Sequence, residues 1–116
     1  MVKLRKKKQK DVKLSEKILS PIKDAAKGFH FHEDINKPLH QIAVSLEDFA
    51  EKLKTISLSS IEFHMKRGDF SKWVEDTIRD SKLAHAINRI KTGGEDLRKE
   101  LISAVEKRIE ELRKAL

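Results

Sequence analysis

Residues 61–74 read IEFHMKRGDFSKWV, and this stretch has the largest influence on the predicted fold. It places charged and imidazole side chains (Glu62, His64, Arg67 and Asp69) close to the only tryptophan of the chain, Trp73. Such a dense group of polar and aromatic residues indicates either a functional site or a junction between helices. The two interpretations differ in what the polar side chains are expected to contact.

Helix-end signals account for most of this stretch. Ser59 and Glu62 have the spacing of a capping box, in which the serine accepts from a backbone N–H and the glutamate reaches back to the cap. Gly68 is typical of a helix C-terminus, and Asp69, which precedes a new apolar run, is typical of an N-cap. We therefore predict that these residues mark the ends of two consecutive helices.

Two pairs of side chains in this stretch have helical spacing and are not explained by the helix ends. Phe70 and Trp73 are three positions apart and are predicted to face the core. His64 and Arg67 have the same spacing and would share one helix face, where they could contact an anion or an acidic partner. The alternative is that both bond to loop carbonyls within the chain.

Helical signals continue on both sides of the junction. An apolar stripe over residues 15–27 is interrupted by Pro21, Ser45 opens a helix with an acidic first turn, and Asp80 or Ser81 caps a later one. After a break at Thr92–Gly94, the last helix repeats apolar residues at spacings of three and four. That seam, which could close the bundle or form a homodimer, consists of Ile102, Val105, Ile109, Leu112 and Leu116.

Residues 28–45 form the least regular part of the sequence. Phe29 and Phe31 alternate with His30 and His32, which predicts an ordered loop with short strand character, held by the two phenylalanines. His30 and His32 are candidate metal ligands because an extended segment would place both imidazoles on one side. Alternatively, His30 and His32 form the solvent-facing side of this segment. The sequence predicts no cofactor.

These patterns predict an all-α fold, a compact bundle of about five short helices with a longer C-terminal helix. Residues 1–14 are predicted to be a flexible basic arm and residues 15–116 a single helical domain. Residues 1–27 contain ten Lys/Arg and three Asp/Glu, whereas residues 28–116 contain sixteen of each, so the formal net charge of +7 belongs to the first quarter of the chain. A neutral domain with a basic extension is typical of an electrostatic tether.

The basic arm provides the main functional signal. Its side chains are predicted to contact nucleic-acid phosphates or another anionic partner: Lys3, Arg5, Lys6, Lys7, Lys8 and Lys10. It contains no aromatic residue for base stacking and no base-reading motif, so such binding would be independent of sequence. An anionic lipid surface and a merely solubilising tail are the alternatives.

Composition limits the remaining classes of function. The chain has no cysteine, no apolar run of about 18 residues and no secretory signal pattern, which predicts a cytoplasmic protein. No residue order or spacing indicates a catalytic triad, so we predict no catalytic residues and a non-enzymatic binding or adaptor module. The partner would be an unidentified protein or nucleic acid. Abundant Lys and Glu with few Asn and Gln are typical of proteins from hot environments.

The central part of the chain resembles a small uncharacterised helical domain family of prokaryotes, including archaea. The block SIEFHxxRGDFxxW is the most specific element, and the resemblance covers a little over half of the chain. The matching residues are Phe29-His30-Phe31, Ser45 to Leu53, Ser60 to His64, Arg67 to Phe70, Trp73, Asp80, Leu83 and Ala84. The family pattern has glycine where this chain has Arg79. The resemblance implies a helical fold and no assigned activity, cofactor or substrate.

Overall fold

The computed structural model describes the backbone of residues 9–116 and the side chains from residue 11 onward. The regular elements, in chain order, are α1 (Gln9–Leu19), β1 (Phe29–Asp34), β2 (Lys37–Ala43), α2 (Leu46–Thr55), α3 (Leu58–Arg67), α4 (Asp69–Trp73), α5 (Ser81–Asn88) and α6 (Gly94–Lys114). The chain also contains two shorter turns, a 3₁₀ turn at Ala25–Lys27 and a π-helical turn at Val74–Ile78. Among the helices described, none has the length and apolar character needed to cross a membrane.

An antiparallel hairpin, β1–β2, makes the all-α prediction wrong: the fold is mostly helical with a small two-stranded sheet. Phe29 pairs with Ala43, and Asp34 pairs with Lys37 across a tight turn. The ladder is irregular on both sides of His32, which pairs with Pro38. The alternating pattern is therefore short, and proline is uncommon within strands, which is why the sequence indicates a loop more strongly than a hairpin.

Helix α1, described over Gln9–Leu19, includes residues 9–14, which the sequence pattern assigns to the flexible arm. Its buried or half-buried residues, Val12, Ser15, Ile18 and Leu19, follow helical spacing and pack towards α2 and α6. The stripe is weak in sequence because its central member is a serine. The helix ends before Pro21 instead of kinking there.

Three of the predicted helix-end signals are confirmed. The Ser45 Oγ accepts from the Asp48 N–H at 3.0 Å, and the Asp80 Oδ1 accepts from the Leu83 N–H at 3.4 Å. Gly68 ends α3 in the left-handed region at φ 73°. These signals are local, because each cap binds a group within a few residues of itself, and a sequence pattern therefore suffices to find them.

The predicted capping box of Ser59 and Glu62 is wrong. Helix α3 begins at Leu58, and its N-cap is Ser57, whose Oγ accepts from the Ser60 N–H at 3.3 Å. Three nearby serines could each serve as a cap. Ser57 also donates to Glu33 Oε1 at 2.9 Å, and Ser60 is buried, so contacts with the hairpin and the core select the register of the helix.

The segment after α4 contains an unusual backbone. The chain passes through the π-helical turn to Arg79, which has a left-handed conformation at φ 65°. A non-glycine residue in this region is strained by roughly 1 kcal/mol or more. Glycine would adopt the same conformation without that strain.

One hydrophobic core connects the helices and the hairpin. Phe70 and Trp73 belong to it, which confirms their predicted role. The apolar face of α6 also belongs to it through Leu97, Leu101, Val105, Ile109 and Leu112, and this helix packs towards α2, α3 and α5. The buried members of the predicted seam are therefore used within the chain, whereas Ile102 is half-buried and Leu116 is exposed.

Gly28, just before β1, lies in a space that does not admit a side chain. A Cβ atom there would lie 2.6 Å from Ile42 Cγ2 and 2.7 Å from the Ala43 carbonyl oxygen. We expect Gly28→Ala to lower the free energy of unfolding by about 1–3 kcal/mol because the hairpin must shift, as urea denaturation would measure. Gly93→Ala is the matched control, since beyond its chain neighbours no atom lies within 4 Å of the place that the added methyl group would occupy. Equal effects of the two substitutions would contradict this explanation.

Candidate functional site

His64 lies at the junction of α3, α4 and the hairpin, and both of its ring nitrogens are hydrogen-bonded within the chain. Its Nδ1 is 2.8 Å from Asp69 Oδ2, and its Nε2 accepts the backbone N–H of His32 at 2.8 Å. The imidazole is 3 % exposed and is surrounded by the rings of Phe29, Phe31, Phe63 and Phe70. The junction therefore holds an oriented histidine inside an aromatic shell.

The hydrogen bonds define the protonation state of this imidazole. Because Nε2 accepts from a backbone N–H, it carries no proton, and Nδ1–H donates to the Asp69 carboxylate. Burial lowers the pKa of His64, although the hydrogen bond and charge of Asp69 oppose that effect. The neutral imidazole is thus the form that fits this site.

Asp69 is the first residue of α4, and the prediction that it caps this helix is wrong. Gly68 occupies the cap position, without a side-chain hydrogen bond. The Asp69 carboxylate instead binds His64 and, at 3.0 Å, the Nε of Arg67. Asp69 lies five positions after His64, and the turn at Gly68 brings them together, which the cap pattern does not indicate.

The predicted pair of His64 and Arg67 therefore shares a carboxylate and not an open anion site. Arg67 is half-exposed, and its guanidinium carbon lies 5.1 Å from the centroid of the Phe63 ring. His64 has both ring nitrogens engaged within the chain. Of the two side chains, Arg67 alone has donors that face solvent in this arrangement.

A shallow cleft of about 390 Å³ opens between the tip of the hairpin and α3. Ile35, at the hairpin turn, is 68 % exposed beside it. Its walls combine aromatic, imidazole and charged side chains: Phe29, His30, His32, Phe63, His64, Arg67 and Asp69. A larger groove of about 610 Å³ lies on the other side of Phe63, between α3 and the segment that joins α5 to α6.

The structure places His30 and His32, the candidate metal ligands, without a third ligand. His30 Nε2 is 3.1 Å from the Ala25 carbonyl oxygen, and His32 Nδ1 is 3.1 Å from the His30 carbonyl oxygen. Within residues 9–116, no group of three or more His, Cys, Asp or Glu side chains is arranged to hold a metal ion. Phe29 and Phe31 are buried, whereas His30 is exposed and His32 half-buried, as the solvent-facing interpretation predicts.

The basic contact residues fall mostly outside the described part of the chain. Lys3, Arg5, Lys6, Lys7 and Lys8 precede Gln9, and only the backbone of Lys10 is described, within α1. Four further basic residues of the first quarter, Lys13, Lys17, Lys23 and Lys27, are exposed. The excess positive charge therefore continues along α1 and into the segment that follows it.

Two arginines of α6 make contacts that the sequence pattern does not indicate. Arg108 binds Asp80 through Nε at 2.8 Å and through a second nitrogen at 3.2 Å. Arg98 donates to the carbonyl oxygens of Leu53 and Ile56, both at 2.7 Å, at the C-terminal end of α2. Their position beside the apolar face of α6 is the only sequence signal, and it does not identify partners that are 28 to 45 residues away.

Comparisons of this chain with models of protein families, with curated proteins and with solved structures found no match. The resemblance based on residues 29–84 therefore stays a prediction.

Proposed function

We propose that this protein is a non-enzymatic binding module that contacts nucleic acid, without sequence preference, through its basic N-terminal segment. The observation that carries this proposal is the separation of charge: residues 1–27 have a net charge of +7, whereas residues 28–116 are neutral. A long-range attraction for polyanions would therefore come from one end of the chain.

The described contacts of the central stretch support a structural role for its charged residues, and the proposal assigns binding to the N-terminal segment. His64, Arg67 and Asp69 bond to one another, and Asp80 bonds to Arg108, so these charged groups hold the helices and the hairpin together. The exposed Lys13 and Lys17, by contrast, lie on a helix whose other face packs on the core. In this proposal α1 joins the basic residues to the folded domain.

Phosphate contacts suit the residues that precede Gln9. Each Lys or Arg that neutralises a phosphate releases condensed counterions, and this release favours binding at low salt. The segment contains no side chain for stacking on bases, so double-stranded and single-stranded nucleic acids should both bind. A protein partner with an acidic surface would use the same chemistry, which makes the adaptor role the second candidate.

The proposal predicts a steep dependence of binding on salt. We expect the full-length protein to bind a fluorescent duplex of about 30 base pairs at low salt, as fluorescence anisotropy would measure. If five basic residues engage phosphates, log Kd should rise with log salt with a slope of about 4.5. Replacing Lys3, Arg5, Lys6, Lys7 and Lys8 by glutamine should remove most of the affinity and lower that slope.

A matched variant separates the position of the charges from their number. Glutamine at five exposed lysines of the domain, Lys66, Lys72, Lys91, Lys99 and Lys107, removes the same charge and should leave most of the affinity. The proposal is wrong if the duplex does not bind at low salt or if both variants lose affinity equally. Binding to anionic vesicles but not to the duplex would assign the segment to a lipid surface instead.

A further inference from the structure

The irregular ladder of the hairpin leaves one backbone donor in need of a partner. The residue opposite His32 is Pro38, and on either side of this pair the register of β1 and β2 shifts, which disrupts the regular ladder of hydrogen bonds. The His32 N–H points away from this ladder and donates to His64 Nε2 at 2.8 Å. A side chain of α3 therefore replaces a strand partner at this position.

Few polar contacts attach the tip of the hairpin to the helices. Besides the bond from His32 to His64, Ser57 Oγ at the start of α3 donates to Glu33 Oε1 at 2.9 Å. Ile35 and Asn36, at the turn, are exposed. Phe29 and Phe31, nearer the base of the hairpin, are buried in the core. The tip can therefore separate from α3 while the base stays packed.

Protonation of His64 is incompatible with the closed hairpin. An imidazolium has an N–H at both ring nitrogens, so a proton on Nε2 would point at the N–H of His32. The ring would then offer no acceptor to that backbone N–H. The titratable and charged groups around the ring are Asp69 of α4, Arg67 of α3 and His32 of β1. Asp69 favours a positive charge on His64, and the other two oppose it. Asp69 already accepts the Nδ1 proton in the neutral state.

We propose that the contact between His64 and the His32 N–H is an acid-sensitive lock, which releases residues 32–37 from α3 when His64 takes up a second ring proton. Release exposes the aromatic wall of the cleft between the hairpin and α3. The lock does not depend on the proposed nucleic-acid binding.

The direction and range of the pH effect follow from the linkage between protonation and opening. Burial lowers the pKa of His64 in the closed state, whereas in the open state the imidazole is hydrated and its pKa should approach about 6.5. The open state therefore binds the proton more readily, so the lock is complete above that pKa and weakens as the pH falls through it. Between about pH 7.5 and 5.5 the opening equilibrium should increase, by up to about tenfold.

The hydrogen bond between Glu33 and Ser57 is a second link between the hairpin tip and α3, and it depends on pH in a different range. Hydrogen bonds from Lys37 and Ser57 lower the pKa of Glu33 below the ordinary value of 4.5. That carboxylate is therefore ionised throughout the range in which His64 is expected to respond. A change between about pH 7.5 and 5.5 reports on the imidazole and not on this carboxylate.

Amide hydrogen exchange, followed by NMR on the full-length protein, tests the lock. After correction for the intrinsic effect of pH on exchange, the opening constant of the His32 amide should rise more than twofold and up to about tenfold from pH 7.5 to pH 5.5. In His32→Gln the backbone N–H remains, and the same rise is expected. In His64→Gln an amide oxygen can accept the N–H without titrating, and the rise should fall below about twofold.

His85→Gln is the matched control, because it removes an exposed imidazole from α5 and should leave the rise intact. If His64→Gln does not fold, the ring nitrogens of His64 in the unmodified protein give a second test by their NMR shifts. We expect Nδ1 to carry the proton at about pH 7.5, and the His32 amide shift to change with the same midpoint as the imidazole. An opening constant that changes less than about twofold, or a proton on Nε2 at that pH, would overturn the lock.

Discussion

Arg108→Leu should lower the free energy of unfolding by roughly 3–5 kcal/mol, because it leaves the buried carboxylate of Asp80 without its countercharge. The Asp80 side chain is 2 % exposed and that of Arg108 is 15 % exposed. Two parallel hydrogen bonds of 2.8 and 3.2 Å join them. Burial alone would lower the pKa of Arg108, but the hydrogen bonds and charge of Asp80 outweigh it and raise the pKa.

A control on the same helix distinguishes burial from charge. Arg113 binds Glu47 at 2.9 Å, but both side chains are more than half exposed, so Arg113→Leu should change stability by less than about 1 kcal/mol. Chemical denaturation of both variants measures the difference. Similar losses for Arg108→Leu and Arg113→Leu would show that the buried environment of Asp80 does not strengthen its ion pair.

A double substitution tests the cause of the loss. Asparagine at position 80 can still accept from the Leu83 N–H at the start of α5, but it has no charge to leave unpaired. We therefore expect Asp80→Asn combined with Arg108→Leu to be more stable than Arg108→Leu alone. A double variant that is less stable than either single one would indicate that shape, and not the unpaired charge, determines the effect.

Phe70→Ala should lower the free energy of unfolding by about 3–5 kcal/mol, and Trp73→Ala by a similar amount. Phe70 is fully buried, and its ring centroid lies 5.0 Å from that of Phe29 and 5.4 Å from that of Phe49. Trp73 also donates its Nε1–H to the Lys27 carbonyl oxygen at 3.0 Å. Each substitution removes apolar contacts and leaves a cavity between the hairpin and the helices.

An exposed apolar residue provides the comparison for these variants. Ile35→Ala, at the hairpin turn, should change stability by less than about 0.5 kcal/mol because its side chain is mostly in solvent. Urea denaturation followed by circular dichroism would measure all three variants. Losses below about 1 kcal/mol for both aromatic substitutions would contradict the assignment of Phe70 and Trp73 to the core.

The candidate site shows why the local pattern is an incomplete guide to a polar residue. Asp69 has the sequence context of a cap, because it follows a helix-ending glycine and precedes an apolar run. In the structure the turn at Gly68 directs its carboxylate back to His64, so the first residue of one helix fixes the imidazole of the previous helix. The rings of Phe29, Phe31 and Phe70 around His64, by contrast, come from residues whose burial the sequence predicts.

Local sequence patterns were enough to identify the later helices, the caps at Ser45 and Asp80, the stop at Gly68 and the core position of Phe70 and Trp73. Each of these depends on interactions within a few residues or on helical spacing of apolar side chains, and both are visible in one short window.

Long-range contacts, which become visible only in the folded chain, determine the remaining features. They pair residues 29–43 as a hairpin, make residues 9–14 part of α1, and join His64 to His32 and Arg108 to Asp80. A short window of sequence does not reveal these contacts, because the groups involved lie far apart along the chain. They pair because burial removes them from water, and a buried polar group needs a hydrogen-bond partner.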